Sequence, residues 1–239
     1  MDTRVSLQPA YVLHTRPFQN TSLLVDFFTT DYGRLRAIAK GARSAKSKYR
    51  SLLQLFQPLL ISYSGRGEVK TVASIESSHG AIHLQADRLF SGLYINELLT
   101  RLLHLHVEHH ELFNNYQEVL VGLQGELPIE LVLRKFELNL LAELGYAINL
   151  ESDCGQHEPL DAKCMYKFIP DVGFDPMISP PGQSEALNLF SGTDLIALRE
   201  FKLENEDTAK SAKRLLRLAL NAHLGEKPLN SRKLFVTKS

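Results

Sequence analysis

SLLVDFFTTDYGRLRAIAK, residues 22–40, decides the first third of the chain. Ser22–Thr29 is a β-rich run, Asp31-Tyr-Gly33 is a turn signal, and Arg34–Lys40 follows as a second strand. In that second strand Leu35, Ala37 and Ala39 alternate with Arg34, Arg36, Ile38 and Lys40. A period of two puts three cations on one strand face and leaves the opposite face apolar. Working outward, Ala10–Thr15 is a β-rich run before it, and Leu52–Phe56 and Pro58–Tyr63 continue the β pattern after it. Ser64-Gly-Arg-Gly67 reads as a hairpin turn into Val69–Ile75. Five or so short strands within about 80 residues suit a small closed barrel.

From about Asp87 the period changes. Leu89, Leu93, Glu97 and the leucines through Leu105 predict a helix, and Glu111–Leu123 predicts a second. Pro128 fits a helix first turn and Gly145 fits a stop after Leu144. Between them Leu131, Leu133, Phe136, Leu138, Leu140, Leu141 and Leu144 make a wide apolar surface, which predicts a core helix. Glu151–Pro181, with five prolines, reads as a β-rich or looped insertion. Helices are expected again over Ser184–Leu189 and Thr193–Phe201. Asp207 is a candidate cap for a last helix through His223, with Gly225 as its stop.

The net charge is zero, yet the charges are segregated. Residues 1–80 carry 11 Lys/Arg against 5 Asp/Glu, residues 81–198 carry 6 against 17, and residues 199–239 carry 10 against 5. Two basic ends flank an acidic middle, which suits a polyanion partner at the ends. The densest basic stretch is KGARSAKSKYR, Lys40–Arg50, with no acid in it. A solvated surface ordinarily mixes signs, so the candidate is a phosphate-tracking set. It comprises Arg34, Arg36, Lys40, Arg43, Lys46, Lys48 and Arg50, with Arg66 and Lys70 from the second hairpin. The small residues Gly41, Ala42, Ser44, Ala45 and Ser47 suggest a mobile loop that orders on DNA, and Tyr32 and Tyr49 are candidate base-stacking partners. A second candidate face is Lys210, Lys213, Arg214 and Arg217, at i, i+3, i+4 and i+7 on the last helix. Its alternative is plain compensation of the helix dipole. In the acidic middle Arg134 and Lys135 stand beside Phe136, where a cationic pair next to an apolar groove suits an acidic-hydrophobic peptide. The alternative is a solvated pair matched to Glu130 or Glu137.

Other chemistry is thin. His106 and His110 fall at i, i+4, but no HExxH pattern accompanies them, so a histidine cluster without metal is expected. Cys154, His157 and Cys164 lack an obvious fourth ligand, and two cysteines make no disulfide framework. No Walker loop, GxSxG elbow or strand-following GxGxxG is found. No apolar run of about 18 residues and no apolar leader is present, so a membrane span is not expected and the cytoplasm is the expected compartment. Three classes remain: a DNA-binding protein, a protein–protein adaptor with incidental DNA contact, and a small metal enzyme built on the histidines.

YVLHTRPFQNTSLLVDFFTTDYGRLRAIAKGAR, SGRGEVKTV, FSGLYINELLTRLL, RKFELNLLAELGY and LGEKPLNSRKLF, in that order over most of the chain, resemble the RecO family of bacterial recombination mediators. The resemblance implies an α+β architecture. Its parts are an N-terminal OB-fold over residues 1–80 and a helical C-terminal domain over residues 81–239, with an insertion at about 151–181. It implies binding of single- and double-stranded DNA and annealing of complementary strands. It also implies assistance to RecA loading, together with RecR, on DNA coated by single-strand-binding protein, and the acidic tail of that protein is the candidate peptide for Arg134, Lys135 and Phe136. With no catalytic motif found, no catalytic activity is expected, and the expected place of work is the bacterial nucleoid. Many members of the family carry a CxxC…CxxC zinc module in the insertion. Here Cys154 resembles the second cysteine of the first pair, Glu151 stands for the first, and Asp175, Pro176 and Ser179 stand where the second pair would follow. Neither a metal nor any other cofactor is therefore expected.

Overall fold

A computed structural model of the 239-residue chain describes residues 4–177 and 187–235. Five strands, β1 (Arg4–Phe18), β2 (Ser22–Thr29), β3 (Gly33–Ala39), β4 (Leu59–Ser64) and β5 (Val69–Ser77), close into a barrel in the order β1-β2-β3-β5-β4. Only the β3–β5 pair is parallel. The expected alternation holds on β3, where Leu35, Ala37 and Ala39 are wholly buried in the barrel and Arg34, Arg36 and Ile38 lie on the outer side. Val12, Val25, Phe27 and Ile61 fill the same interior. The first strand is far longer than Ala10–Thr15, because it pairs with β2 along one edge and β4 along the other. Leu52–Phe56 is not a strand. It is a run of turns in which Leu53 enters the core and Leu55 makes one isolated bridge to Val12.

Two helices follow, α1 (Ala86–Leu102) and α2 (His110–Gln124). They cover part of the barrel's outer face through Tyr11 and Phe28 of the barrel and Phe113 and Tyr116 of α2, whose rings lie 5.1–5.9 Å apart. Asn96 of α1 fastens the joint. Its amide donates to the carbonyls of Val12 (3.4 Å) and Leu13 (3.2 Å), and its Oδ1 accepts from the Tyr116 hydroxyl at 2.7 Å. The β1–β2 register shifts between Val12 and His14, so these buried carbonyls need a donor from outside the ladder. Between the helices, His106 has φ +61 and lies in a turn, so His106 and His110 do not share a helix face as expected. Gly33, at φ +56, lets this turn reach the barrel: a Cβ there would sit 1.6 Å from the Val107 carbonyl oxygen.

Beyond this, α3 (Ile129–Glu143) packs on α5 (Glu206–Leu224). The stop at Gly145 is a left-handed C-terminal motif, with φ +84, Gly145 N donating to Ala142 O and Tyr146 N to Leu141 O. The insertion resolves into a three-stranded sheet in the order β7-β6-β8, from β6 (Met165–Ile169), β7 (Gly173–Pro176) and β8 (Leu189–Ser191), followed by α4 (Gly192–Arg199). The helix expected over Ser184–Leu189 is not formed at its end, where Leu189 opens β8; residues 184–186 lie outside the described residues. The cap of α5 is Asn205 rather than Asp207, because its carboxamide oxygen accepts from Asp207 N at 2.8 Å and Thr208 N at 3.3 Å.

Packing groups the chain into Met1–Leu127 with Leu229–Ser239, and Pro128–Pro228. The barrel thus keeps α1, α2 and the C-terminal segment as its own neighbours. That segment is held by Glu97, whose carboxylate accepts from Asn230 N, Ser231 N and the Ser231 hydroxyl at 2.6–2.8 Å. Burial pushes the Glu97 carboxyl up, but the hydrogen bonds from Ser231 and Asn230, with Arg101, outweigh it and hold the pKa below its usual value. A carboxyl lowered on folding contributes its full anchoring above the ordinary glutamate range and loses it as pH falls through the lowered value. Amide protection factors at Asn230 and Ser231, the observed exchange set against the intrinsic rate at each pH, are therefore high at neutral pH and fall in acid. The Glu97→Ala variant has low protection factors at both pH values, with the anchor weakened by about 2 kcal/mol.

Candidate nucleic-acid interface

The cations of β3 are built differently from those of the loop after it. Arg34 lies opposite Phe28, and Arg36 opposite Asp26. Arg34 keeps only 12% of its side chain exposed. It donates from Nε (3.2 Å) and Nη2 (2.9 Å) to Asp26 Oδ1, and from Nη1 to the Leu103 carbonyl at 3.2 Å. It is a strut between strand and helix end. Arg36 donates from Nε to the same Asp26 oxygen at 3.3 Å.

Lys40 leaves the strand exposed and starts the loop. The loop is not the free segment expected from its small residues. Arg43 N donates to Thr21 O (2.8 Å) and its Nη1 to Gln19 O (3.3 Å), which ties it to the β1–β2 turn. Ala42 is buried in the barrel core, and the Tyr49 hydroxyl donates to Ala73 O on β5 at 3.3 Å. Consecutive turns, Ser44 N to Gly41 O, Ser47 N to Ser44 O and Arg50 N to Ser47 O, carry the chain between these anchors. Lys40, Arg43, Lys46, Lys48 and Arg50 all remain exposed along this pinned path, and Lys48 Nζ sits 5.4 Å from the Tyr49 ring centre. Tyr49 is therefore occupied, whereas Tyr32 is 38% exposed and packs edge-on against Tyr63. On the β4–β5 turn Arg66 is exposed, and Lys70 is half-buried with Nζ on Gly65 O.

Sequence reading passed over His14, Arg16 and Asp26. After the β1 register shift His14 lies opposite Asp26 and Arg16 opposite Leu24, which puts exposed His14 and Arg16 in the strand rows of Arg36 and Ile38. The shift itself concealed them, since a strict period of two from Ala10 misassigns every residue past Val12.

The candidate C-terminal face divides. Lys213 and Arg217 are exposed on α5. Lys210 pairs with Glu206 at 2.7 Å, an exposed i, i+4 pair. Arg214 turns into the small sheet, donating to Leu189 O with its guanidinium 4.4 Å from the Phe190 ring centre. On α3, Phe136 is wholly buried in the core, Arg134 is 6% exposed and paired with Glu137 Oε1 at 3.0 Å, and Lys135 is exposed. The three expected peptide-binding residues thus do not share a surface.

Among the described residues no group of three His, Cys, Asp or Glu side chains is placed to hold a metal ion. Cys154 is half-buried and Cys164 exposed, while the loop between them is closed by Asp153, whose Oδ1 accepts from the amides of Gly155, Gln156 and His157. Ser179 lies outside the described residues. No described helix is long and apolar enough to cross a membrane.

With this geometry in place, two family models match in tandem: Recombination protein O N terminal over residues 1–81 and Recombination protein O C terminal over residues 83–233. The chain belongs to the RecO family. DNA repair protein RecO of Coxiella burnetii (strain RSA 331 / Henzerling II) is 43% identical over 235 residues, covering 98% of this chain and 99% of that protein. DNA repair protein RecO of Salmonella dublin is 44% identical over 229 residues, covering 95% and 93%. That of Shigella flexneri is 43% identical over the same length and shares. The α+β reading, a small barrel followed by helices with some strands, agrees with membership of this family of DNA repair proteins.

The two kinds of cation separate in stability. Replacing Arg34 with Met leaves Asp26 short of a partner and the Leu103 carbonyl without its donor, and lowers unfolding free energy by about 3 kcal/mol. Lys46→Ala and Lys48→Ala shift it by no more than about 0.5 kcal/mol. Urea unfolding of the three variants checks the difference.

Proposed function

We propose that this chain is a non-catalytic DNA-binding mediator of recombinational repair. It binds single- and double-stranded DNA through the cations of the β3–β4 loop and anneals complementary strands. With RecR, it assists RecA loading onto DNA coated by single-strand-binding protein, at the nucleoid in the bacterial cytoplasm. The observation that carries this reading is the loop Lys40–Arg50: five exposed cations on a backbone pinned at Ala42, Arg43 and Tyr49, with no acid in the stretch. Cations held on a fixed path meet successive phosphates without first ordering the loop, and releasing counterions supplies affinity that is indifferent to sequence. Neutralising phosphates on two strands also lowers their mutual repulsion, which is what annealing requires.

Lys213 and Arg217 offer a second, smaller basic surface on α5, to which Lys210 and Arg214 contribute less because each already has a partner. For the acidic tail of single-strand-binding protein the supporting feature is Lys135, the exposed cation on α3; Arg134 and Phe136 act from beneath by holding that helix in place.

Two measurements test these readings. Replacing Lys40, Arg43, Lys46, Lys48 and Arg50 together by Ala weakens binding to a single-stranded oligonucleotide. The slope of log K against log salt becomes shallower by about 0.7 for each phosphate that is no longer neutralised. An unchanged slope sinks the loop as the DNA surface. Separately, titration of the acidic tail peptide against Lys135→Ala shows affinity roughly fivefold below wild type, about 1 kcal/mol. Equal affinities remove α3 from that role.

A further inference from the structure

Asp26 looks misplaced. It is an acid on the outer side of the basic strand pair, only 4% exposed, and both Arg34 and Arg36 are turned onto its single Oδ1 oxygen. The two arginines use it differently. Arg34 commits Nε, Nη1 and Nη2 to protein acceptors. Arg36 commits Nε alone, keeps 24% of its side chain exposed, and among the described residues has no other hydrogen-bond partner. A guanidinium held by its Nε edge leaves the end-on fork of Nη1 and Nη2 directed away from the acceptor, and that fork matches two oxygens of one phosphate. The strand rows continue the site: His14 lies opposite Asp26, and Arg16, two residues along β1, is exposed.

We propose that Asp26 is a positioning residue that sets the Arg36 fork for a backbone phosphate, with Arg16 as a flanking contact, so that an acid on this face strengthens DNA binding. The inference rests on the DNA reading above and deepens it. Arg34 is what makes the device rigid. By occupying Asp26 from its Nε–Nη2 edge and tying the far side to Leu103 O, it fixes the carboxylate, so Arg36 is held against an immobile acceptor rather than a rotating one. The pair of arginines and one acid carries a net charge of +1, and only Arg36 can deliver it to a ligand.

Simple electrostatics and this proposal make opposite forecasts. Removing a negative charge beside a polyanion site should tighten binding; removing the anchor of the fork should loosen it. The experiment measures affinity for a single-stranded oligonucleotide over a salt series, with thermal unfolding of each variant alongside. The variants are Arg36→Lys, Arg36→Gln, Asp26→Asn, Arg16→Gln and the double Asp26→Asn/Arg36→Lys. Arg36→Lys keeps its charge but not the fork, so affinity falls roughly tenfold with the salt slope unchanged. Arg36→Gln falls further and the slope becomes shallower by about 0.7, as does that of Arg16→Gln. Asp26→Asn falls to the Arg36→Lys level, and the double variant is no weaker than either single, since both remove the same interaction.

Tighter binding by folded Asp26→Asn overturns the proposal, and so do additive losses in the double variant, which would mark Asp26 as a merely structural residue. If Asp26→Asn does not fold, Arg36→Lys decides alone, and wild-type affinity there overturns the proposal. Failure of the broader reading looks different. In that case wild-type protein shows no salt-dependent affinity for DNA at all, whereas failure of this inference alone leaves the variant with Ala at Lys40, Arg43, Lys46, Lys48 and Arg50 still defective.

Discussion

The barrel and the two helices packed on it hang on one strand having to pair along both edges. β1 meets β2 on one side and β4 on the other, and it does so only by shifting register twice, between Val5 and Gln8 against β4 and between Val12 and His14 against β2. The second shift leaves the Val12 and Leu13 carbonyls buried, with Asn96 of α1 as their donor. Satisfying a buried carbonyl from a helix side chain is worth more than a surface contact, because the alternative is a desolvated acceptor with no partner. Closing the barrel therefore recruits α1. Tyr116, bonded to the same Asn96, recruits α2, and the Tyr11–Phe28–Phe113–Tyr116 cluster fills the space between. The same joint fixes what the barrel can offer a ligand. The part of the outer face bearing Tyr11, Phe28 and Arg34 is covered by helices, and the part bearing His14, Arg16 and Arg36 keeps the first two exposed and the third half-buried.

That division explains what the sequence could and could not disclose. Alternation of Leu35, Ala37 and Ala39 with cations identified β3 and its two faces, because burial of one face imposes a period of two whatever lies outside. Gly145 marked the end of α3 for an equally local reason, since only a left-handed residue lets Tyr146 N reach back to Leu141 O. Leu52–Phe56 misled because apolar residues can face a core from turns as well as from a strand. Leu53 is buried there without belonging to any ladder. His106 and His110 had helical spacing but share no helix, since α1 ends at Leu102, His106 lies in the turn that packs against Gly33 of the barrel, and α2 starts only at His110. Hardest to foresee was the fate of individual charges. Arg34 and Arg36 are equivalent on the strand, yet one bonds Leu103 O, sixty-nine residues away, and the other does not. Nothing in their local sequence distinguishes them.

A net charge of zero conceals a comparable sorting by position. Cations that serve the fold are held by partners already desolvated with them: Arg34 by Asp26, Arg134 by Glu137, and Arg214 by a carbonyl and an aromatic face. Such groups have little left for a phosphate, because leaving their partner unpaired in the interior would cost as much as a new contact returns. Cations that could serve a ligand stand where the backbone is fixed but the side chain is solvated, as in Lys40–Arg50. On the proposed DNA reading their binding energy would come from counterions released at the surface, with no burial penalty.

Asp26 joins the two classes. A wholly exposed arginine must give up rotamer freedom each time it closes on a phosphate, and a wholly buried one cannot reach it. Held by one nitrogen against a carboxylate that a second arginine immobilises, Arg36 is partly ordered before any ligand arrives and keeps 24% of its side chain exposed. The desolvation of Asp26 is then met by Arg34, a residue the fold needs in any case to join β3 to the end of α1. The constraint that begins with closing β1 thus ends by organising a phosphate-sized pair of donors on the open part of the same barrel face.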